Sequence, residues 1–310
     1  MSANIVEFDS VSRRFGQQLA LDNVSFEVQQ GVVYGLVGSN GAGKTTIMKH
    51  ILGLLRARQG TVHVFGKDPA VDSVEVLQRI GHLCEHRELP EWMRIHELMW
   101  YTQAHYPNWK PEYCQELLET FALDPTKRIR DLSKGMRAQV GLIAAVSHHP
   151  DLLLLDEPST GLDAIVRKDI LNAVIRAVAD DGRTAIFSSH LLDEVERMSD
   201  QVLMIDSGRI VLQGTVEEIR QQHRAISICY PEGCTTPPSV VGVLSVEGRG
   251  RHWQLIAEGD GNEIRQRLLS TDGEILDVRP ASLEEVFVAR AGRSISSSMP
   301  PTEEEATCSA

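Results

Sequence analysis

Nine consecutive residues could do chemistry by their types and spacing: Gly38, Ser39, Asn40, Gly41, Ala42, Gly43, Lys44, Thr45 and Thr46. They fit a glycine, four open positions, then Gly-Lys-Thr. The three glycines let the backbone wrap closely with N–H groups turned inward, a concave nest for an anion. Lys44 adds a cation that reaches the β- and γ-phosphates, and the Thr45 hydroxyl is placed to ligate Mg2+. The stretch asks for a nucleoside triphosphate, without deciding between ATP and GTP or between binding and hydrolysis.

A second run, LLLLDEP at 152–158, delivers Asp156 and Glu157 to the end of a leucine strand. Adjacent carboxylates repel, so they need a cation and a task each. Asp156 would hold Mg2+ through water, and Glu157 would polarise an attacking water. Surface acids at a strand end look the same, but the phosphate loop upstream favours the catalytic assignment. A third run, DLSKGMRAQ at 131–139, puts Ser133 and Gly135 at the start of a helix expected over 134–149. A serine there makes an anion site, and equally an ordinary N-cap.

The elements that must position these groups follow from hydrophobic period. VVYGLVG reads as a strand buried on both faces, and TTIMKHILGLL carries apolar residues at helical spacing. The glycine loop therefore joins a buried strand to a helix, the context that makes it a site. Further on, DLLLLDEP and TAIFSSH read as strands and LLDEVERMS and 164–180 as helices. This alternation gives a parallel-rich α/β sheet. NIVEFDSV and LDNVSFEV form an antiparallel N-terminal β portion, and 86–147 a helical subdomain punctuated by Pro107, Pro111 and Pro125. The α/β P-loop domain is expected to occupy 1–222, and a small C-terminal α/β domain 223–292. The tail 293–310, SISSSMPPTEEEATCSA from residue 294 on, lacks apolar period and reads as disordered.

In their order, GSNGAGKTT, LSKGM, LLLLDEP, STGLD and FSSH resemble the motif set of ATP-binding-cassette (ABC) ATPases. The ordered set is far more specific than any member of it. The resemblance implies two cassettes paired head to tail, each ATP lying between one chain's glycine loop and the other's LSKGM signature. On that basis Ser133 and Gly135 would contact the γ-phosphate of the ATP held by the other copy. Asp163, in STGLD, would act across the dimer interface. His190, closing FSSH, would reach the γ-phosphate and hold the attacking water. Phe15, in RRFGQ, matches the aromatic that stacks on adenine, a contact tolerant of base identity. Two positions depart from the family pattern. Met136 stands where the signature usually ends in Gln, and Glu85 where another Gln is usual. Glu85 can still approach Mg2+ or water, but it adds charge and cannot donate. Both departures, and the C-terminal SLEEVFVAR, resemble cassettes that serve ABC-2-type exporters.

Composition narrows the remaining classes. The 310 residues are 42% hydrophobic and 24% charged, with a net charge of −12. An acidic chain without a basic stripe speaks against nucleic acid as a partner. Neither a membrane span nor a signal peptide is expected, so a transporter role needs a separately encoded integral-membrane permease, with this chain peripheral on the cytoplasmic membrane face. Five scattered cysteines suit reduced thiols better than a disulfide framework or zinc site. A soluble ABC ATPase acting on ribosomes or DNA is the alternative, and a non-hydrolysing regulator a third reading. The first usually shows twin cassettes or a long coiled coil, and the second sits poorly with Lys44, Asp156, Glu157 and His190 together. Trp92, Met93, Ile95, Leu98, Met99 and Trp100 exceed what one helix face requires, so some form core and some could form a docking surface.

Overall fold

A computed structural model of the protein describes residues 3–85, 88–179, 182–231, 241–268 and 273–296. By contacts the chain divides into two compact units, Met1–Gln213 and Gly214–Ala310.

The first unit opens with β1 (Asn4–Phe15), β2 (Gln18–Gln29), β3 (Val33–Val37), α1 (Lys44–Ile51), β4 (Gln59–Val64), α2 (Ser73–Leu77) and β5 (Ile80–Leu83). The helical subdomain follows, with α3 (Ile95–Gln103), α4 (Pro111–Thr120) and α5 (Lys134–Val146). β6 (Leu152–Asp156), α6 (Ala164–Ala179), β7 (Thr184–Ser189), α7 (Leu192–Met198), β8 (Gln201–Asp206) and β9 (Arg209–Thr215) complete it. β1, β2 and β4 form an antiparallel sheet in the order β2-β1-β4. Phe15 pairs with Gln18, so Gly16 and Gln17 make a two-residue turn that holds Phe15 at the hairpin tip. Phe8 stacks on Phe26 at 4.5 Å, and α1 buries Ile47, Met48 and Ile51 in the same core.

The second sheet has the order β5-β6-β7-β3-β8-β9. The pairs β5–β6, β6–β7, β3–β7 and β3–β8 are all parallel. Every residue of β6 and β7 is buried, as a strand covered on both faces requires. Parallel pairing sets the carboxyl ends of β5, β6, β7 and β3 along one edge. Glu85, Asp156, His190 and the glycine loop each follow one of those ends, where open α/β sheets bind ligands.

Two helices are shorter than their hydrophobic pattern predicts. α1 stops at Ile51 because Gly53 turns the chain at φ +69°, with Pro69 O too close for any side chain. α5 stops at Val146, where the Ser147 hydroxyl folds back on Ile143 O at 2.6 Å and His149 adopts φ +51°. In the helical subdomain Met93, Ile95, Leu98 and Met99 are core, whereas Trp92 is 66% and Trp100 73% exposed.

The second unit begins inside β9, ahead of the 222/223 boundary read from the sequence, and takes in α8 (Val216–Gln222). It continues with β10 (His223–Cys229), β11 (Val243–Arg249), β12 (His252–Glu258), α9 (Gly261–Leu268), β13 (Glu274–Pro280) and α10 (Leu283–Ser296). The sheet is antiparallel in the order β11-β12-β10-β13. Ile226, Ile228 and Leu255 pack with Ile264 and Leu268 of α9. α10 extends to Ser296, past the expected start of the tail, and 297–310 lie outside the described residues. Among the described residues no helix is long and apolar enough to cross a membrane.

Candidate active site

The glycine loop begins where β3 ends. At Gly38 a Cβ would lie 2.4 Å from Ile205 O, and at Gly43, with φ +121°, 2.8 Å from Ala20 O. Backbone packs where side chains would otherwise stand, so these two positions require glycine. Gly43 is also the N-cap of α1, and it brings no capping side chain. No acid occupies the helix's first turn. Its N–H groups and positive end are therefore left for an external anion. Ala42 is buried beneath the loop, 2% exposed.

Above the loop lies a cleft of about 360 Å³ lined by Phe15, Gln18, Ala20, Ser39, Asn40, Gly41, Gly43, Lys44, Thr45, Thr46, Glu85 and Glu157. Most of the candidates named from sequence meet here, although they come from four separate regions of the chain. Phe15 is 45% exposed, and the Arg13 guanidinium lies over its ring at 4.8 Å. An aromatic ring held at a cleft mouth suits stacking on a planar base. Gln18 and Ala20 were not singled out in advance, and only the hairpin register brings them to the cleft.

Lys44 is buried, 6% exposed. Its Nζ donates to Gly38 O at 2.7 Å and lies 3.3 Å from Glu157 Oε1. Glu157 has φ +50°, a left-handed conformation that costs a residue with a Cβ about 1–2 kcal/mol. Several contacts hold it there. Ser188 Oγ accepts from the Glu157 N–H at 2.9 Å and donates to Asp156 Oδ1 at 2.6 Å. Thr160 Oγ1 donates to Glu157 Oε2 at 2.8 Å, and His190 Nδ1 meets the same oxygen at 2.7 Å. Burial alone drives this carboxyl upward. The hydrogen bonds from Thr160 and His190 and the charge of Lys44 outweigh burial and hold it below the ordinary glutamate range. The result is an ionised carboxylate facing the cleft, with a histidine and a lysine beside it.

Ser133, Gly135 and Asp163 do not line this cleft. Ser133 Oγ accepts from Met136 N–H at 3.2 Å and caps α5, whose first turn carries no acid. Asp163 Oδ1 accepts from the N–H groups of Ile165 and Val166, both at 3.0 Å, at the start of α6. The two starts touch, since a Cβ on Gly135 would lie 3.1 Å from Val166 Cγ1. Sequence reasoning missed Ser188 and Thr160. The two serines of FSSH and the threonine of DEPST were visible, but their aim depends on the turn at Glu157.

Among the described residues no group of three or more His, Cys, Asp or Glu could cage a metal ion. A site that holds Mg2+ with few protein ligands, and completes its shell with phosphate and water, needs no such cage. The donor set fits that cation: the Thr45 hydroxyl, and the carboxylates of Asp156 and Glu85, are hard oxygen ligands. Glu157 Oε1, buried and without a hydrogen bond, has the Lys44 ammonium beside it at 3.3 Å.

A family profile described as ABC transporter matches residues 21–160. Nod factor export ATP-binding protein I of Burkholderia lata is 31% identical over 304 residues, covering 93% of this chain and 97% of that protein. The chain belongs to the ABC transporter ATP-binding protein family. A daunorubicin resistance ATP-binding protein of Streptomyces coeruleorubidus is 33% identical over 227 residues, 72% of each chain. Among solved structures, an ATP-binding subunit of an ABC transporter superposes with a TM-score of 0.65 at 29% identity, covering 70% of this chain and 92% of that one. This ABC cassette is therefore an ATP-binding ATPase subunit with the P-loop α/β fold.

Proposed function

We propose that this ABC cassette drives export through a separate integral-membrane subunit, by ATP-dependent pairing of two copies head to tail. The carrying observation is a division of labour within one chain. The glycine loop, Lys44 and Glu157 meet in one cleft, with His190 hydrogen-bonded to Glu157 behind it, while the Ser133-headed helix α5 caps itself outside it. An anion-ready helix end placed away from its own cleft is suited to the cleft of a second copy.

In this reading the loop N–H groups and Lys44 hold the β- and γ-phosphates, and Phe15 supports the base. Thr45, Asp156 and Glu85 would hold Mg2+, which would neutralise charge on the phosphate oxygens. Glu157 orients the attacking water and accepts its proton, with His190 steadying the carboxylate. Ser133 and Gly135 of the second copy complete the γ-phosphate shell, and Asp163 meets its counterpart across the interface. Hydrolysis removes the shared ligand, so the pair relaxes, and that difference in binding is the source of work.

Export is supported by the relatives named for Nod factor export and daunorubicin resistance. A membrane partner is supported by Trp92 and Trp100, two large apolar side chains left in solvent on the helical subdomain. Bound to that partner, the chain would lie on the cytoplasmic face of the membrane. The test is Glu157→Gln with ATP and Mg2+. ATP binding persists, phosphate release falls by at least about 100-fold, and a dimer accumulates in light scattering. A monomer at saturating ATP would refute the sharing of nucleotide between copies.

A further inference from the structure

Glu194 is a buried carboxylate to which the hydrolytic scheme gives no task. It stands on α7 and is 7% exposed. Burying a carboxylate is unfavourable unless its oxygens are matched. Oε2 accepts from Ser159 Oγ at 2.7 Å, and Ser189 Oγ lies 3.4 Å from the same oxygen. Ser189 Oγ also accepts from the Leu191 N–H at 3.0 Å. Both serines lie within two residues of the Glu157–His190 pair. Ser189 immediately precedes His190, and Ser159 lies in the loop that leaves Glu157 and ends at Asp163.

The other oxygen, Oε1, has no hydrogen-bond partner. It lies 3.5 Å from Nε of Arg167, which also makes none. Arg167 sits in the opening of α6, and its N–H donates to Asp163 O at 3.0 Å. One carboxylate thus touches the loop after β6, the end of β7 and the start of α6. These are the segments that carry Glu157, His190 and Asp163.

We infer that Glu194 is a positioning residue for hydrolysis, which sets His190 against Glu157 by holding Ser189 and Ser159 on one oxygen. Arg167 is its counter-charge. The inference rests on the hydrolytic roles given above to Glu157 and His190. A carboxylate needed only for packing would be lost through stability. A positioning carboxylate is lost through turnover, with nucleotide binding intact, because the glycine loop and Lys44 do not touch it.

The experiment measures kcat, KM and affinity for a fluorescent ATP analogue in full-length Glu194→Ala, Glu194→Gln, Ser159→Ala and the Glu194→Ala/Ser159→Ala double variant. Glu194→Ala lowers kcat roughly 10-fold while affinity and KM stay within about twofold. Glu194→Gln, whose amide oxygen still accepts from both serines, recovers most of the rate. The double variant is no slower than Glu194→Ala alone, since both changes break one link. Unchanged kcat in Glu194→Ala, a raised KM at constant kcat, or losses that multiply in the double variant would overturn the inference. Should Glu194→Ala fail to fold, Ser159→Ala decides: a lowered kcat at unchanged affinity supports the link, and full activity removes it. Glu157→Gln, assayed alongside, separates the two levels. Full turnover in Glu157→Gln defeats the hydrolytic scheme itself, whereas its loss beside a fully active Glu194→Ala defeats only the positioning role.

Discussion

At the scale of single residues, the site is governed by how one carboxylate stays charged while buried. Burial raises the Glu157 pKa, and Thr160, His190 and Lys44 together reverse the sign. The group therefore remains ionised as pH falls through the ordinary glutamate value of 4.5. The acid limb of kcat is expected to lie below that value wherever Glu157 ionisation limits the rate. Thr160→Ala removes a hydrogen bond to the ionised form, so the folded pKa rises and the limb moves to higher pH. A kcat–pH profile of the two proteins checks the direction of the shift, and an unmoved limb would detach Thr160 from the carboxylate. Asp156 and Glu157 were legible in the sequence because leucines announced the strand and the glycine loop announced phosphate. Ser188 and Thr160 were not legible, because the positive φ at Glu157 turns its N–H to Ser188 and its carboxylate to Thr160, and no pattern encodes it.

At the scale of elements, period-two and period-three-to-four signals gave the strands and helices, and their failures were local. α1 and α5 ended early where a glycine turn and a serine back-bond competed with apolar spacing. The apolar cluster of the helical subdomain divided as spacing alone could not: Met93, Ile95, Leu98 and Met99 went to the core and the two tryptophans to solvent. The segment after α5 adds a pH dependence to the fold. His148 is 2% exposed, stacks on Tyr106 at 3.8 Å, and places Nε2 3.1 Å from Ile80 O. Burial first, with the nearby charge of Arg183, pushes its pKa from 6.5 down to about 4, despite backbone carbonyls that oppose the shift. The unfolded chain thus binds the proton more readily. The stability held by neutral His148 is present above pH 6.5 and is lost as pH falls toward about 4. The wild-type protein should lose about 2 kcal/mol between pH 7 and pH 5 from this group. His148→Gln should lose correspondingly less over the same interval. Urea midpoints of both proteins at the two pH values measure the difference, and parallel losses would show the histidine to be solvated.

At the scale of the whole molecule, the cleft and the Ser133 helix belong to one chain but to different catalytic centres if two copies share nucleotide. That arrangement gives a test that no single-chain enzyme passes. Lys44→Ala removes the buried cation at the glycine loop and abolishes ATP binding in its own cleft, while leaving its Ser133 helix intact. Ser133→Ala keeps its own cleft and removes the hydroxyl it would lend. The same change also removes the α5 N-cap, at about 1 kcal/mol, so folding must be checked by thermal midpoint. Alone, each variant hydrolyses little ATP, for opposite reasons. Mixed, half the mixed dimers' sites pair an intact loop with an intact serine helix, and the other half lack both. Hydrolysis should therefore reappear on mixing, to roughly a quarter of the wild-type rate at equal amounts if pairing is random and each site fires independently. A requirement for two loaded sites would abolish this recovery but leave a mixed dimer detectable by light scattering with Glu157→Gln added to the Ser133→Ala chain. If neither activity nor a mixed dimer appears, Ser133 serves only its own helix, and the head-to-tail arrangement is lost with it.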